Sequence, residues 1–164
     1  MTPRRPLLAA LAVAALVTSC VSFHKQGLFS PDRDEVYVAF FDNDTFFRGL
    51  ELDLTERVTD EILSRPGLHL TSKDAAEVYL SGRLTAVRRR VLSENPNQAV
   101  TSRNSVIQAR IELIDAKTGQ VYKTRTIQQR GEFVPGLGES LEAAENEAFV
   151  LLARDIVRLL EKDF

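Results

Sequence analysis

The stretch VYVAFFDNDTFF, Val36–Phe47, decides how the rest of the chain is read. Its first half, Val36–Phe41, is a compact apolar run, suited to a strand buried on both faces or against a partner. Its second half, Asp42-Asn43-Asp44-Thr45, consists of short polar side chains that bond nearby backbone N–H groups, as where a strand ends and a helix is prepared. The residues that follow agree. In RGLELDLTERVTDEILSRPG, Leu50, Leu54, Val58 and Ile62 recur every four positions and make one apolar helical stripe. Asp53 with Arg57, and Glu61 with Arg65, are spaced for modest ion pairs on its solvated side. Pro66-Gly67 ends the helix, and Leu68–Leu70 is a candidate edge strand.

From Glu77 the apolar period changes to two. Val78, Leu80, Leu84 and Ala86 are expected on one face, with Tyr79, Arg83, Thr85, Val87 and Arg89 on the other. After a polar connection, Glu94–Asn104, the pattern resumes with Ile107, Ala109, Ile111 and Leu113 inward. DAKTGQ, Asp115–Gln120, reads as a hairpin turn in which Gly119 takes positive φ. A third strand, Val121–Gln129, has mixed residues on both sides. Ser140 caps a helix running to about Glu161, with Leu141, Ala144, Ala148, Leu152, Ile156 and Leu159 as its stripe. Acids near the start of this helix and bases near its end complement its dipole.

The order strand, helix, three-strand meander, helix predicts an α+β two-layer sandwich. Two helices would pack on one face of a mainly antiparallel sheet of about four strands. The other face would be open, bearing Arg83, Arg89, Arg110 and Arg125 with threonines between them, and would need water or a partner.

The N-terminus sets the expected location. Arg4 and Arg5 precede an apolar run, Leu7–Val17, too short to span a bilayer but suited to an export signal. VTSC, Val17–Cys20, resembles a bacterial lipobox, in which the cysteine is lipidated and becomes the new N-terminus. Cys20 is the only cysteine, so no intrachain disulfide forms. Several acyl chains at one residue anchor durably, since each buried methylene contributes roughly 0.8 kcal/mol. Position 21 is Val rather than Asp, so by resemblance to enterobacterial lipoproteins nothing retains the chain at the inner membrane. The expectation is an outer-membrane lipoprotein facing the periplasm: signal peptide 1–19, lipid-anchored tether 20–35 and a single domain 36–164. Of 21 basic residues, Arg4 and Arg5 lie in the leader; the remaining 19 face 23 acids, a net charge near −4 that disfavours nucleic-acid binding.

No catalytic constellation emerges. Asp42-x-Asp44 after an apolar run resembles the opening of the haloacid-dehalogenase phosphatases. Those also need a downstream lysine and a later acidic pair for magnesium, usually Gly-Asp or Asp-Asp, and neither dipeptide occurs. His24 and His69 have no metal-ligand spacing, and no Gly-x-Ser-x-Gly elbow is present. PGLGES, Pro135–Ser140, is read as a turn entering a helix cap in preference to a phosphate cradle. No cofactor is expected. The unusual cluster is Arg88-Arg89-Arg90, where a strand runs toward its hairpin tip, with Arg103 beginning the return. Alternation forbids a single-face patch of three. Either they are solubilising charges or they contact anionic phosphates, to which guanidinium geometry is suited.

With these parts assembled, the chain resembles the LptE family of lipopolysaccharide-assembly lipoproteins. The resemblance rests on the lipobox cysteine followed by Phe23, on VYVAFFDNDTFFRGLELDLTERVTDEI, and on AAEVYLSGRL. It continues through ARIELIDAKTGQVYKTRT and AAENEAFVLLARDIVRLL. It implies a noncatalytic protein that binds lipopolysaccharide and sits as a plug inside the LptD β-barrel. By position, it implicates Arg88, Arg89, Arg90 and Arg103 in ligand contact, and Arg83, Arg110 and Arg125 on a partner-facing sheet. The family's Cys-Gly-Tyr is Cys-Val-Ser here. VAFFDNDT followed by a helix is also similar to lipoproteins that activate penicillin-binding proteins and to curli-secretion-type subunits, which are the alternative readings.

Overall fold

The computed structural model describes residues 33–94 and 100–161, with backbone alone for 92–94 and 100–101. The leader, Cys20 and the tether up to residue 32 lie outside the described residues. The chain runs β1 (Glu35–Val38), β2 (Asp42–Asn43), α1 (Leu50–Ser64), β3 (His69–Leu70), β4 (Val78–Glu94), β5 (Val100–Asp115), β6 (Val121–Phe133) and α2 (Leu141–Arg158).

These strands form one mixed sheet in the order β3-β1-β4-β5-β6, with β2 also pairing with β4. The expected sheet of about four mainly antiparallel strands is therefore corrected to six. β1 runs parallel to both β3 and β4, and only β4-β5-β6 is an antiparallel meander. The reason is the crossover: α1 carries the chain back to the start of the sheet, so β3 and β4, which follow it, run in the direction of β1. β3 falls within the candidate edge strand Leu68–Leu70 and stands at the sheet edge, whereas β2, two residues long, is too short to leave a periodic signal.

β1 and β2 form one interrupted line along β4. Val38 stands opposite Leu80, but Asp42 stands opposite Arg83, so one extra residue is accommodated between them. That bulge turns Phe41, 1% exposed, into the core and Phe40, 60% exposed, outward. The Phe41 ring lies over Gly82, where a Cβ would come within 2.6 Å of it.

Both helices cover one face. Leu54, Val58 and Ile62 of α1 are fully buried, as are Ala148, Leu152 and Ile156 of α2. They pack on Val78, Leu80, Leu84, Ile107, Ala109, Ile111 and Leu113. α2 is more enclosed than its stripe implied, because Phe149, Ala153 and Val157 are buried too. It also rests directly on β6: a Cβ on Gly131 would stand 1.8 Å from the Ala144 carbonyl oxygen, so only glycine permits this approach. Ser140 caps α2 as its sequence indicated, its Oγ accepting from the Ala143 N–H at 3.1 Å. In the 115–120 turn, Asp115 Oδ1 accepts from the Thr118 N–H at 2.8 Å and Gly119 takes φ 69°. Of the two helical ion pairs, Glu61–Arg65 forms at 2.7 Å, whereas Arg57 bonds instead to Asn146 of α2.

The facing of β4 needs a second correction. Leu84 pairs with Ala109 but Ala86 pairs with Gln108, so Thr85 is inserted and alternation reverses beyond it. Val87, Arg89 and Val91 therefore share the helix-bearing face with Ile107, Ser105 and Arg103, while Ala86, Arg88 and Arg90 lie on the open face. Val87 accordingly packs against the core. Arg125 is also reassigned. It pairs with inward Ile111, which puts it on the helix-bearing side of β6 at the sheet edge, away from Arg83 and Arg110.

Candidate functional site

The open face is built from alternate residues of β2, β4, β5 and β6. Near its centre Arg83 and Arg110 are direct cross-strand partners, an arrangement that is unfavourable for like charges unless anions intervene. Acids flank the pair. Arg83 Nη2 donates to Asp42 Oδ2 at 2.9 Å and Nη1 to Asp44 Oδ2 at 3.4 Å, while Arg110 Nε donates to Glu112 Oε1 at 3.2 Å. The hydrogen bond it donates to Asp42 and the charge of Asp44 hold the Arg83 guanidinium above its ordinary range. With Ser81 and Thr85 these groups line a polar groove of about 470 Å³. Thr126 lies beside Arg110, and Gln128 beside Gln108.

The aspartates of the opening motif thus balance an arginine. Asn43, between them, organises the turn. Its Oδ1 accepts from the N–H and hydroxyl of Thr45 at 2.8 and 2.7 Å, and its Nδ2 donates to the Phe47 carbonyl and to Glu51. The Glu51 carboxyl is held below its usual range, first by its own backbone N–H at the helix start and then by Asn43. Among the described residues, no three His, Cys, Asp or Glu gather to hold a metal ion.

The second surface is the distal end, where β4 and β5 run toward their hairpin. The bulge at Thr85 divides the arginine cluster. Arg89 turns under α2, donating from Nε and Nη2 to the two Glu145 oxygens at 2.9 and 3.2 Å. It also stacks over the Phe47 ring at 4.1 Å. Ser105 Oγ donates to the same carboxylate at 2.8 Å. Glu145 is 8% exposed, so these contacts compensate a charge that burial would otherwise penalise heavily. Arg88 and Arg90 emerge on the opposite face, and Arg103 on the helix-bearing side. None of these three has an ion pair among the described residues. At the same level Asn104 is 5% exposed and its Oδ1 has no hydrogen-bond partner.

Of the seven arginines singled out from sequence, Arg83 and Arg110 meet on the open face and Arg88, Arg90 and Arg103 remain available at the distal end. Arg89 and Arg125 face elsewhere. Glu145 is one of the acids near the start of α2, where the helix dipole alone would account for it. Its partnership with Arg89, 56 positions away, has no local signal.

The family model for lipopolysaccharide assembly, LptE, matches residues 34–160. No curated protein sequence matches the chain significantly. Among solved structures, the hypothetical protein CT253 from Chlamydia trachomatis is similar with TM-score 0.58 at 10% identity, covering 76% of this chain and 94% of that one. The uncharacterized lipoprotein B from Nitrosomonas europaea gives TM-score 0.57 at 12% identity, covering 86% and 90%. PelC from Paraburkholderia phytofirmans, a dodecamer, gives 0.55 at 16%, covering 84% and 96%. At these identities the structural likeness speaks to fold alone.

Proposed function

The chain belongs to the LptE family of lipopolysaccharide assembly, and from that premise we propose that it is a noncatalytic plug and assembly partner of an LptD-type outer-membrane β-barrel. In this reading it is held on the periplasmic side of the outer membrane by acyl chains on Cys20, and it binds lipopolysaccharide through its distal arginines. The observation that carries the proposal is a sheet face that neither described helix covers. Both helices lie on one side, and the other presents Arg83, Arg110, Gln108, Gln128, Thr124 and Thr126 in register. Such a surface is costly to bury against apolar groups but suits the polar interior of a membrane barrel, where its charges find partners or water. A lipid anchor would raise the local concentration of the domain at the barrel.

Arg88, Arg90 and Arg103 supply the ligand chemistry. A guanidinium binds phosphate through paired N–H donors, and among the described residues no carboxylate pairs with these three. Arg89 is committed to Glu145, so its role is to hold the β4–β5 hairpin against α2.

Affinity capture from detergent-solubilised outer membranes tests the partner. Recovery of a large β-barrel, lost on charge reversal at Arg83 and Arg110, is the expected result. Recovery of a peptidoglycan synthase would support the penicillin-binding-protein activator reading, and recovery of homo-oligomeric rings the curli-secretion-type reading.

A further inference from the structure

The distal end carries a second feature, on the helix-bearing side of the hairpin. A pocket of about 150 Å³ is lined by Val91, Phe133, Leu141, Arg89, Arg90, Arg103 and Asn104. Its position follows from the ladder: Val91, Arg103 and Phe133 are consecutive cross-strand partners on β4, β5 and β6. They sit side by side on one face, beside Leu141, the first residue of α2. Phe133 is buried, whereas Val91, two strands over, is 48% exposed. The result is an apolar floor with a guanidinium at its centre that has no ion pair among the described residues. Each feature alone has an ordinary explanation, since a strand end tolerates an exposed valine and a surface tolerates an arginine. Their coincidence in one concavity is what an amphiphile requires where its charged head meets its chain.

Resting on the lipopolysaccharide reading above, we infer that this pocket receives the first methylenes of an acyl chain while Arg103 holds the adjoining phosphate. The ligand class is a phosphate-bearing lipid, engaged at its head–chain junction as well as through its headgroup. The volume admits only a short length of chain, so the remainder would stay in the surrounding lipid or detergent. Arg89 also lines the pocket, but its pairing with Glu145 leaves it to form a wall.

The test uses the full-length lipoprotein in non-ionic detergent with four probes: intact lipopolysaccharide, fully deacylated lipopolysaccharide, phosphatidylglycerol and inorganic phosphate. Val91→Asp changes a half-exposed residue, and Leu141→Asp puts an acid in the first turn of a helix, where the dipole favours it. Both variants therefore leave the fold intact, as thermal melting would verify. Each is expected to weaken intact lipopolysaccharide roughly tenfold and to leave the deacylated form unchanged, whereas Arg103→Glu weakens both. Inorganic phosphate is expected to bind far more weakly than either. Unchanged affinity for intact lipopolysaccharide in both aspartate variants would overturn the pocket while the lipopolysaccharide reading stood. Tight phosphatidylglycerol binding that is sensitive to Val91→Asp, with no lipopolysaccharide binding, would support the pocket and overturn that reading instead. Binding of neither lipid would overturn both.

Discussion

Arg89 and Glu145 lie 56 residues apart and meet through two hydrogen bonds, of 2.9 and 3.2 Å, between the middle of β4 and the first turns of α2. Ser105 on β5 donates to the same carboxylate, and the Phe47 ring, just before α1, underlies the guanidinium. One buried acid thus joins both long strands to α2, and its arginine partner reaches the turn that leads into α1. That constrains the angle at which the hairpin leaves the domain and, with it, the positions of Arg88, Arg90 and Arg103.

The two partners should not be equivalent on deletion. Arg89→Ala leaves a nearly buried carboxylate with only a serine donor and is expected to destabilise by about 2–4 kcal/mol. Glu145→Ala leaves a guanidinium whose side chain is 38% exposed and can turn to water, so about 1 kcal/mol is expected after allowance for solvent screening. Urea unfolding of both variants measures the asymmetry, and equal losses would contradict it.

Gly131→Ala should be among the most damaging single substitutions in the described residues. The new methyl would meet the backbone of Ala144, which cannot rotate away as a side chain could. Destabilisation of about 3 kcal/mol is expected from such overpacking, with α2 displaced from β6. Faster amide exchange in 141–158 would report the displacement. Gly82→Ala meets a phenyl ring instead and should cost less.

Acid should unfold the protein through identifiable groups. The Asp115 carboxyl is held below its usual range, first by the Thr118 N–H and then by the Thr118 hydroxyl, and Glu51 is lowered in the same sense. A depressed carboxylate contributes stability that is fully present above its unfolded value, about 4, and is lost as pH falls through the lower folded value. Stability is therefore expected to vary little on this account from pH 7 to about 5 and to decline below about 4. Asp115→Asn should flatten part of that decline.

Charge reversal at Arg88 and Arg90 is expected to weaken lipopolysaccharide binding roughly tenfold per residue without lowering the melting temperature, because neither residue has an ion pair to lose among the described residues. Arg89→Glu should instead lower stability, since it sets a second acid against Glu145. Titration beside thermal melting separates the two behaviours. Loss of binding with unchanged stability in Arg89→Glu would reassign that residue to the ligand.

Much of this architecture was legible along the chain. The four-residue spacing of Leu54, Val58 and Ile62, the serine cap of α2, the glycine of the 115–120 turn and the alternation of β5 each depend on neighbours within a few positions. Local patterning therefore announces them. The parallel pairing of β1 and the facing of the arginines were not announced in this way. An inserted residue is defined only against the strand opposite: Thr85 is a bulge because Leu84 and Ala86 pair with consecutive residues of β5, and that register exists only once the sheet has formed. A shift of one residue exchanges the two faces, and so Arg89 is turned to the helix-bearing side while Arg88 and Arg90 remain on the open side. Gly131 and Glu145 follow the same logic, because the closeness of a helix and the burial of a charge arise from contacts between segments far apart in sequence.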